Sequence, residues 1–216
     1  MITLAIDTST AYASVSLFID QKVFTQTSYL PRQHNQYLLP MIDEILTKAG
    51  VKKHKVELLA YGVGPGSFVG VRLAASIMHA MSLPLSVPVI GFSSMKASAI
   101  NHFYKTGQRR IAIVLDARMG DVYLGLYEIS ASEDIRTIAE YSDTPSQLVA
   151  ALHAFAPAVL IGDQVEDFIL PDETEYCPDT QYLFPLIKQE YQAHDQSMDR
   201  DALPVYLQGT KHWRKL

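Results

Sequence analysis

Asp7, Thr8, Ser9 and Thr10 place a carboxylate and three hydroxyls on four consecutive positions. Between two apolar runs, such a tetrad forms a tight turn whose backbone N–H and hydroxyl groups can cradle a phosphate. The same residues also suit an Asx turn, in which the aspartate accepts from its own backbone. A second segment, GPGSFVGVR at 64–72, sets Gly64, Gly66 and Gly70 around Ser67. Glycine lets backbone approach a ligand or another strand closely, and a helix opening here would favour an anion. The segment lacks the Lys-Ser/Thr pair of a phosphate-binding P-loop and reads GxGxxxG rather than the dinucleotide pattern. Pro65 stands where a nucleophile elbow needs glycine. Asp7, Thr8, Ser9, Gly64, Gly66 and Ser67 are therefore candidates for a place beside a phosphate or nucleotide. No catalytic residue emerges.

The histidines are His34, His54, His79, His102, His153, His194 and His212. None stands two to four residues from another, so the helical HxxxH and HExxH spacings that bring two imidazoles to one metal are absent. Cys177 is the only cysteine, which excludes an internal disulfide and a Cys-cluster zinc site and fits a reducing compartment. In DARMGDVY at 116–123, Asp116, Arg118 and Asp121 suit either a charged cleft or a polar hairpin with Arg118 paired to a carboxylate. The tail KHWRKL at 211–216 is basic, as a docking tail or a solvated end would be.

The elements that must position these residues follow from periodicity. ITLAI at 2–6 reads as a buried strand, and 13–19 alternates as a strand with one buried face. A third strand falls over 22–29, giving an antiparallel meander. A helix within 33–49 carries Leu38, Ile42 and Ile45 on one stripe, with Pro40 either kinking it or opening it. Strands over 56–62 and 88–92 flank a helix running from the glycine loop to about 82, and a further helix covers 93–104. The first half is thus βββ-α-β-α-β-α. The second half restarts with strand, acidic turn and strand over 111–129, then a helix near 145–154, a strand near 158–162 and a helix near 180–193. Moving position 7 onto position 116, a shift of 109 residues, sets Val114 and Leu115 over Ala5 and Ile6. This faint repeat, with a boundary near the polar stretch YKTGQRR at 104–110, divides the chain into 1–104 and 105–216.

Composition bounds the function. The chain has 216 residues and a net charge of −5, whereas a protein that grips nucleic acid by its own surface carries a basic excess. The N-terminus has no basic n-region, and Pro84 and Pro88 interrupt the longest apolar stretch, so neither a signal peptide nor a membrane-spanning helix is expected. In the helix after the glycine loop only Arg72, Ser76, His79 and Ser82 interrupt a run of apolar residues. A helix apolar nearly all round must be covered nearly all round. Each Leu, Ile or Met left in water forfeits roughly 1.5–3 kcal/mol. Either the second half of the chain or a protein partner must supply that cover.

LAIDTST, PRQH before the first helix, GVGPGSFVGVR, LDARMGDVY and PVYL at 204–207 occur in this order along nearly the whole chain. In combination they resemble the bacterial TsaB family, also called YeaZ. The resemblance implies an α/β fold of the actin-like ATPase superfamily, with two ribonuclease-H-like halves of βββαβα type, the second reduced. It implies a non-catalytic subunit in the synthesis of N6-threonylcarbamoyladenosine at tRNA position 37. Its partners would be a TsaD-type transferase, bound as a heterodimer, and a TsaE-type ATPase. Either a monomer or a homodimer when alone, indirect contact with tRNA, no membrane and a cytoplasmic location complete the expectation. The chain would hold no cofactor or metal itself, ATP and a metal being used by the assembled complex. The transferase binds metal through an HxxxH pair, where this chain has His34 and then Leu38. The matching partner interface comprises Leu38, Ile42, Ile45, Leu73, Ile77, Met78 and Met81. Two departures stand out: Gln208 follows VYL where the family often has arginine, and Arg118 and Met119 replace small residues in the second turn. A small ATPase or kinase of the same superfamily and a peptidase-like relative are the competing readings.

Overall fold

The computed structural model describes residues 1–163, 168 and 176–193. PVYL, Gln208 and the basic tail lie outside the described residues. The chain divides into two units, one formed by Met1–Ala97 with the described segment 177–193, the other centred on Ser98–Tyr176.

The first unit is built on a five-stranded sheet of order β3-β2-β1-β4-β5. Its strands are β1 (Ile2–Asp7), β2 (Tyr12–Ile19), β3 (Lys22–Tyr29), β4 (Leu58–Gly62) and β5 (Val89–Phe92). β1 runs antiparallel to β2 and parallel to β4. β1 and β4 are apolar and buried because both faces of the sheet centre are covered. β3 is polar and partly exposed, as an edge strand tolerates. On one face lie α1 (His34–Lys48) and α2 (Phe68–Leu85). Leu4, Ile6, Val15 and Leu17 meet Leu38, Met41, Ile42, Ile45 and Met78 there. Pro40 sits well inside α1 rather than at its start, and Pro84 lies in the last turn of α2.

The other face is richer in hydroxyls. Thr180, in a single 3-10 turn at Thr180–Tyr182, lies within 2.9 Å of the Ser14 Oγ and 2.7 Å of the Ser16 Oγ. The last helix of this unit spans Phe184–Ala193, later than its expected start near 180, because Asp179 caps the preceding 3-10 turn through the Gln181 N–H. Leu183, Leu186 and Ile187 are buried, and Phe184 stacks on Phe18 at 5.3 Å.

The helix following β5 spans Ser94–Thr106 and is designated α3. The second unit carries a sheet of order β8-β7-β6-β9, with β6 (Arg110–Arg118), β7 (Asp121–Ile129), β8 (Ile135–Asp143) and β9 (Val159–Gly162). α4 (Pro145–Phe155) packs Leu148 and Phe155 with Ala112, Val114, Leu124 and Leu126. α5 denotes Phe184–Ala193. β8 escapes a reading by pattern because, as an edge strand, it mixes Arg136, Thr137 and Glu140 into its length. Strand order and directions repeat those of β3-β2-β1-β4. The shift of 109 residues holds for β2 over β7 but is one too long for β1 over β6. Leu4 pairs with Leu17 and Ile6 with Val15; their counterparts are Ala112 with Leu126 and Val114 with Leu124. Since strand faces alternate every residue, this slip decides which side chain is buried. Asp116 is consequently not the counterpart of Asp7: Leu115 is.

Candidate functional site

Asp7 ends β1 with its carboxylate fully buried. Oδ1 accepts from the Ser9 N–H at 2.8 Å and from the Ser9 hydroxyl at 2.7 Å, and Oδ2 accepts from the Ser94 hydroxyl at 2.7 Å. Burial pushes the carboxyl up to about 6, against these three hydrogen bonds, which pull it down. A Cβ on Gly62 would collide with Oδ2, so β4 can pass this carboxylate only as glycine.

The glycine loop closes over the same turn. The Ser67 N–H donates to the Ser9 carbonyl at 2.6 Å, and the Thr8 hydroxyl donates to the Gly70 carbonyl at 2.8 Å. Side chains on Gly66 or Gly70 would strike the backbone of Ser9 and Thr8. Gly64 exchanges two bonds with Ser94: its N–H reaches Oγ at 3.2 Å, and its carbonyl accepts the Ser94 N–H at 2.9 Å. Ser67 caps α2 by accepting from the Gly70 N–H. The structure therefore brings Asp7, Thr8, Ser9, Gly64, Gly66 and Ser67 together. It spends the Ser9 N–H and hydroxyl, the Thr8 hydroxyl and the Ser67 N–H inside the chain. Ser94, which joins the two segments to α3, was not singled out by spacing; a serine opening a helix after a buried strand was the available signal.

His34, the first residue of α1, places Nε2 3.2 Å from the Tyr12 carbonyl oxygen. Among the described residues, no three His, Cys, Asp or Glu side chains come together as a metal site.

The hydrophobic residues assigned to a partner divide sharply. Leu38, Ile42, Ile45 and Met78 are core of the first unit, with essentially no surface. They cannot meet a partner without unfolding, which corrects their assignment to an outward contact. Leu73, Ile77 and Met81 are half-buried. The helical spacing turns Phe68, Val69, Arg72, Leu73, Ser76, Ile77, Ala80, Leu83 and Pro84 to the outer half of α2. Phe68, Val69 and Leu83 are 64%, 74% and 68% exposed. Small residues, Gly70, Ala74 and Ala75, bring the inner half close to the sheet. By length and composition α2 could cross a membrane. Its inner half is instead seated on β4 and β1. α1 turns outward mainly polar groups, with Asp43 paired to Lys53 at 2.6 Å and Glu44 to Lys48 at 2.8 Å. Leu39 and Tyr37 are its exposed apolar residues.

In the second unit, β6 and β7 are joined by a two-residue loop, Met119–Gly120, closed by the Arg118–Asp121 pair. Arg118 and Met119 have φ of 68° and 58°. Left-handed backbone costs a non-glycine residue roughly 1–2 kcal/mol. Asp116 holds the turn by accepting from the Arg118 N–H at 2.7 Å and the Arg118 guanidinium at 3.0 Å.

Two α/β units with the same strand order, each covered by helices, define a protein of the actin-like ATPase class with ribonuclease-H-like units. The family model described as TsaD, tRNA N6-adenosine threonylcarbamoyltransferase, matches residues 21–177. The tRNA threonylcarbamoyladenosine biosynthesis protein TsaB of Escherichia coli (strain K12) is 32% identical, the match covering 99% of this chain and 97% of that protein. The TsaB of Haemophilus influenzae is 30% identical over 99% and 96% of the two chains. The solved structure of YeaZ from Pseudomonas aeruginosa superposes with a TM-score of 0.81 at 31% identity, covering 95% of this chain and 99% of that one. The chain belongs to the TsaB family, within the wider group that the transferase model describes.

Proposed function

We propose that this chain is a non-catalytic subunit of the machinery that makes N6-threonylcarbamoyladenosine at tRNA position 37. It binds and supports a TsaD-type transferase. The observation that carries the reading is the outer half of α2, where seven of nine residues are apolar and three large ones are mostly exposed. Such a stripe needs a cover, and the reading assigns that cover to an apolar face of the transferase. The occupied donors around Asp7 support the non-catalytic part of the reading, since a phosphate would find them already engaged within the first unit. ATP and a metal then belong to the assembled complex, a TsaE-type ATPase completes it, and tRNA is reached only through it, in the cytoplasm. A second copy of this chain is the competing cover when the transferase is absent.

The test is size exclusion with light scattering of this chain, alone and mixed with a purified TsaD-type transferase. A one-to-one species at micromolar concentration is expected. Its absence, together with ATP turnover by the purified chain, would overturn the reading in favour of an enzyme.

A further inference from the structure

One carboxylate stands at the root of the hydrogen bonds that fix the start of α2. Asp7 Oδ1 accepts both the N–H and the hydroxyl of Ser9, and the Ser9 carbonyl accepts the Ser67 N–H. Ser67 is the N-cap of α2, so the β1–β2 turn and the first helical turn are set together. Asp7 Oδ2 reaches the same loop by a second route. It accepts from the Ser94 hydroxyl, whose oxygen in turn accepts the Gly64 N–H. Both routes lead through the glycine loop to the first turn of α2, where Phe68 and Val69 stand exposed. A buried acid is thereby joined to a surface that the subunit reading assigns to the transferase.

No cation balances this acid. β4 passes it with Gly62, while the adjacent Tyr61 packs in the core with Met78. Opposite Asp7 on β2 is Ser14, whose own acidic neighbour is Asp179 at 3.4 Å. Lys96 of α3 pairs with Glu190 of α5 at 3.7 Å, and Arg72 of α2 lies over the Phe68 ring. The loop from Gly64 to Ser67 carries no charge. Burial therefore favours the protonated acid while the loop is closed. Ionisation favours any opening that admits water to it. We infer that Asp7 is a positioning residue for the partner-facing first turn of α2, a proton-sensitive lock that keeps the turn closed when protonated and eases its opening when ionised. The lock rests on hydrogen bonds of the first unit alone. Its link to a partner rests on the subunit reading above, in which the transferase presses on Phe68 and Val69 and so holds the turn closed.

Hydrogen exchange of the full chain at the Ser67 and Gly70 amides, with the amides of α1 as reference, reads the opening directly. A carboxyl near 6 when closed and near 3.8 in water makes opening about tenfold more frequent at pH 7 than at pH 5, once the intrinsic pH dependence of exchange is removed. Asp7→Asn carries no titrating group and is expected to show no such change. Ser94→Ala keeps the acid but removes a donor that favours its charge, so the rise in opening should begin at higher pH than in the wild type. Equal opening at pH 5 and pH 7 in the wild type would overturn the lock. So would the same pH dependence in Asp7→Asn, in Ser94→Ala with no displacement, or in the α1 amides. Purified TsaD-type transferase, added at pH 7, is expected to slow exchange at Ser67 and Gly70 at least about tenfold. A complex that leaves these amides unprotected defeats the link between lock and partner. A chain that forms no complex defeats the subunit reading, while the pH comparison on the free chain still decides the lock.

Discussion

Asp7 and Ser94, 87 positions apart, meet through a single hydrogen bond of 2.7 Å from the serine hydroxyl to the carboxylate. That bond ties the end of β1 to the start of α3, and Gly62 of β4 passes against the same oxygen. The carboxylate faces hydroxyls and backbone, and no charged partner offsets its burial, which is why the group is held up to about 6 instead of 3.8.

A raised carboxyl makes the folded chain bind a proton more readily than the unfolded one. Asp7 therefore favours the fold below about pH 4, and this contribution is lost as pH rises through about 6. The shift of about two units corresponds to a loss on the order of 3 kcal/mol. Urea unfolding of the wild type and Asp7→Asn across pH 4 to 7 should show the gap between the two curves changing over this window, with the wild type losing ground as pH rises. Parallel curves would show that the buried carboxylate carries no proton linkage.

The glycines of the loop are not equivalent. Gly70→Ala drives a methyl into the Thr8 carbonyl, where backbone on both sides must shift. A loss of about 3 kcal/mol or more is expected, near the upper end of overpacking costs. Gly50→Ala meets no atom but has a φ of 65°, so it should cost only about 1–2 kcal/mol. Thermal melting of the pair decides whether close approach or backbone conformation governs. A Gly70→Ala variant as stable as Gly50→Ala would refute the packing argument.

The sequence pattern carried most of the first unit: the alternation of 13–19 and the stripe of Leu38, Ile42 and Ile45 predict β2 and α1 at nearly their observed limits. The stripe was legible but its direction was not. Leu38 and Met78 are as apolar as Val69 and Leu83, and only the sheet beneath decides which are core and which face outward. β8 was lost because an edge strand needs no apolar face of its own. The pairing of the Asp7 turn with the glycine loop was not legible either. Glycines that make room for a ligand and glycines that make room for a neighbouring backbone are the same residue at the same spacing.

Thr180 contributes a hydroxyl that lies between Ser14 and Ser16, while its own N–H donates to Ser14 Oγ at 2.9 Å. Thr180→Val keeps the shape and removes the bridging oxygen. The serine hydroxyls retain Thr27 and Thr25 as partners, at 2.9 Å each. The expected cost is therefore about 1–3 kcal/mol rather than loss of the fold. Hydrogen exchange should rise over Cys177–Ala193 in this variant. Uniform exchange changes across the chain would show that the network does not specifically hold the returning segment.

The outer half of α2 can be tested apart from the core, because its ends tolerate charge of opposite sign. Val69 lies in the first turn, where a glutamate interacts favourably with the helix dipole, and Leu83 in the last, where a lysine does. Val69→Glu/Leu83→Lys should therefore melt within a few degrees of the wild type, as surface changes of about 0.5 kcal/mol do. It should nonetheless bind the TsaD-type transferase at least about tenfold more weakly, because two charges enter an apolar contact. Met78→Ala is the contrasting variant: it empties a fully buried site and should cost about 2–5 kcal/mol of stability. Its folded fraction should bind the transferase nearly as well as the wild type. Light scattering and calorimetry on the three proteins separate the two faces of one helix. Normal binding by the charged pair would remove α2 from the interface.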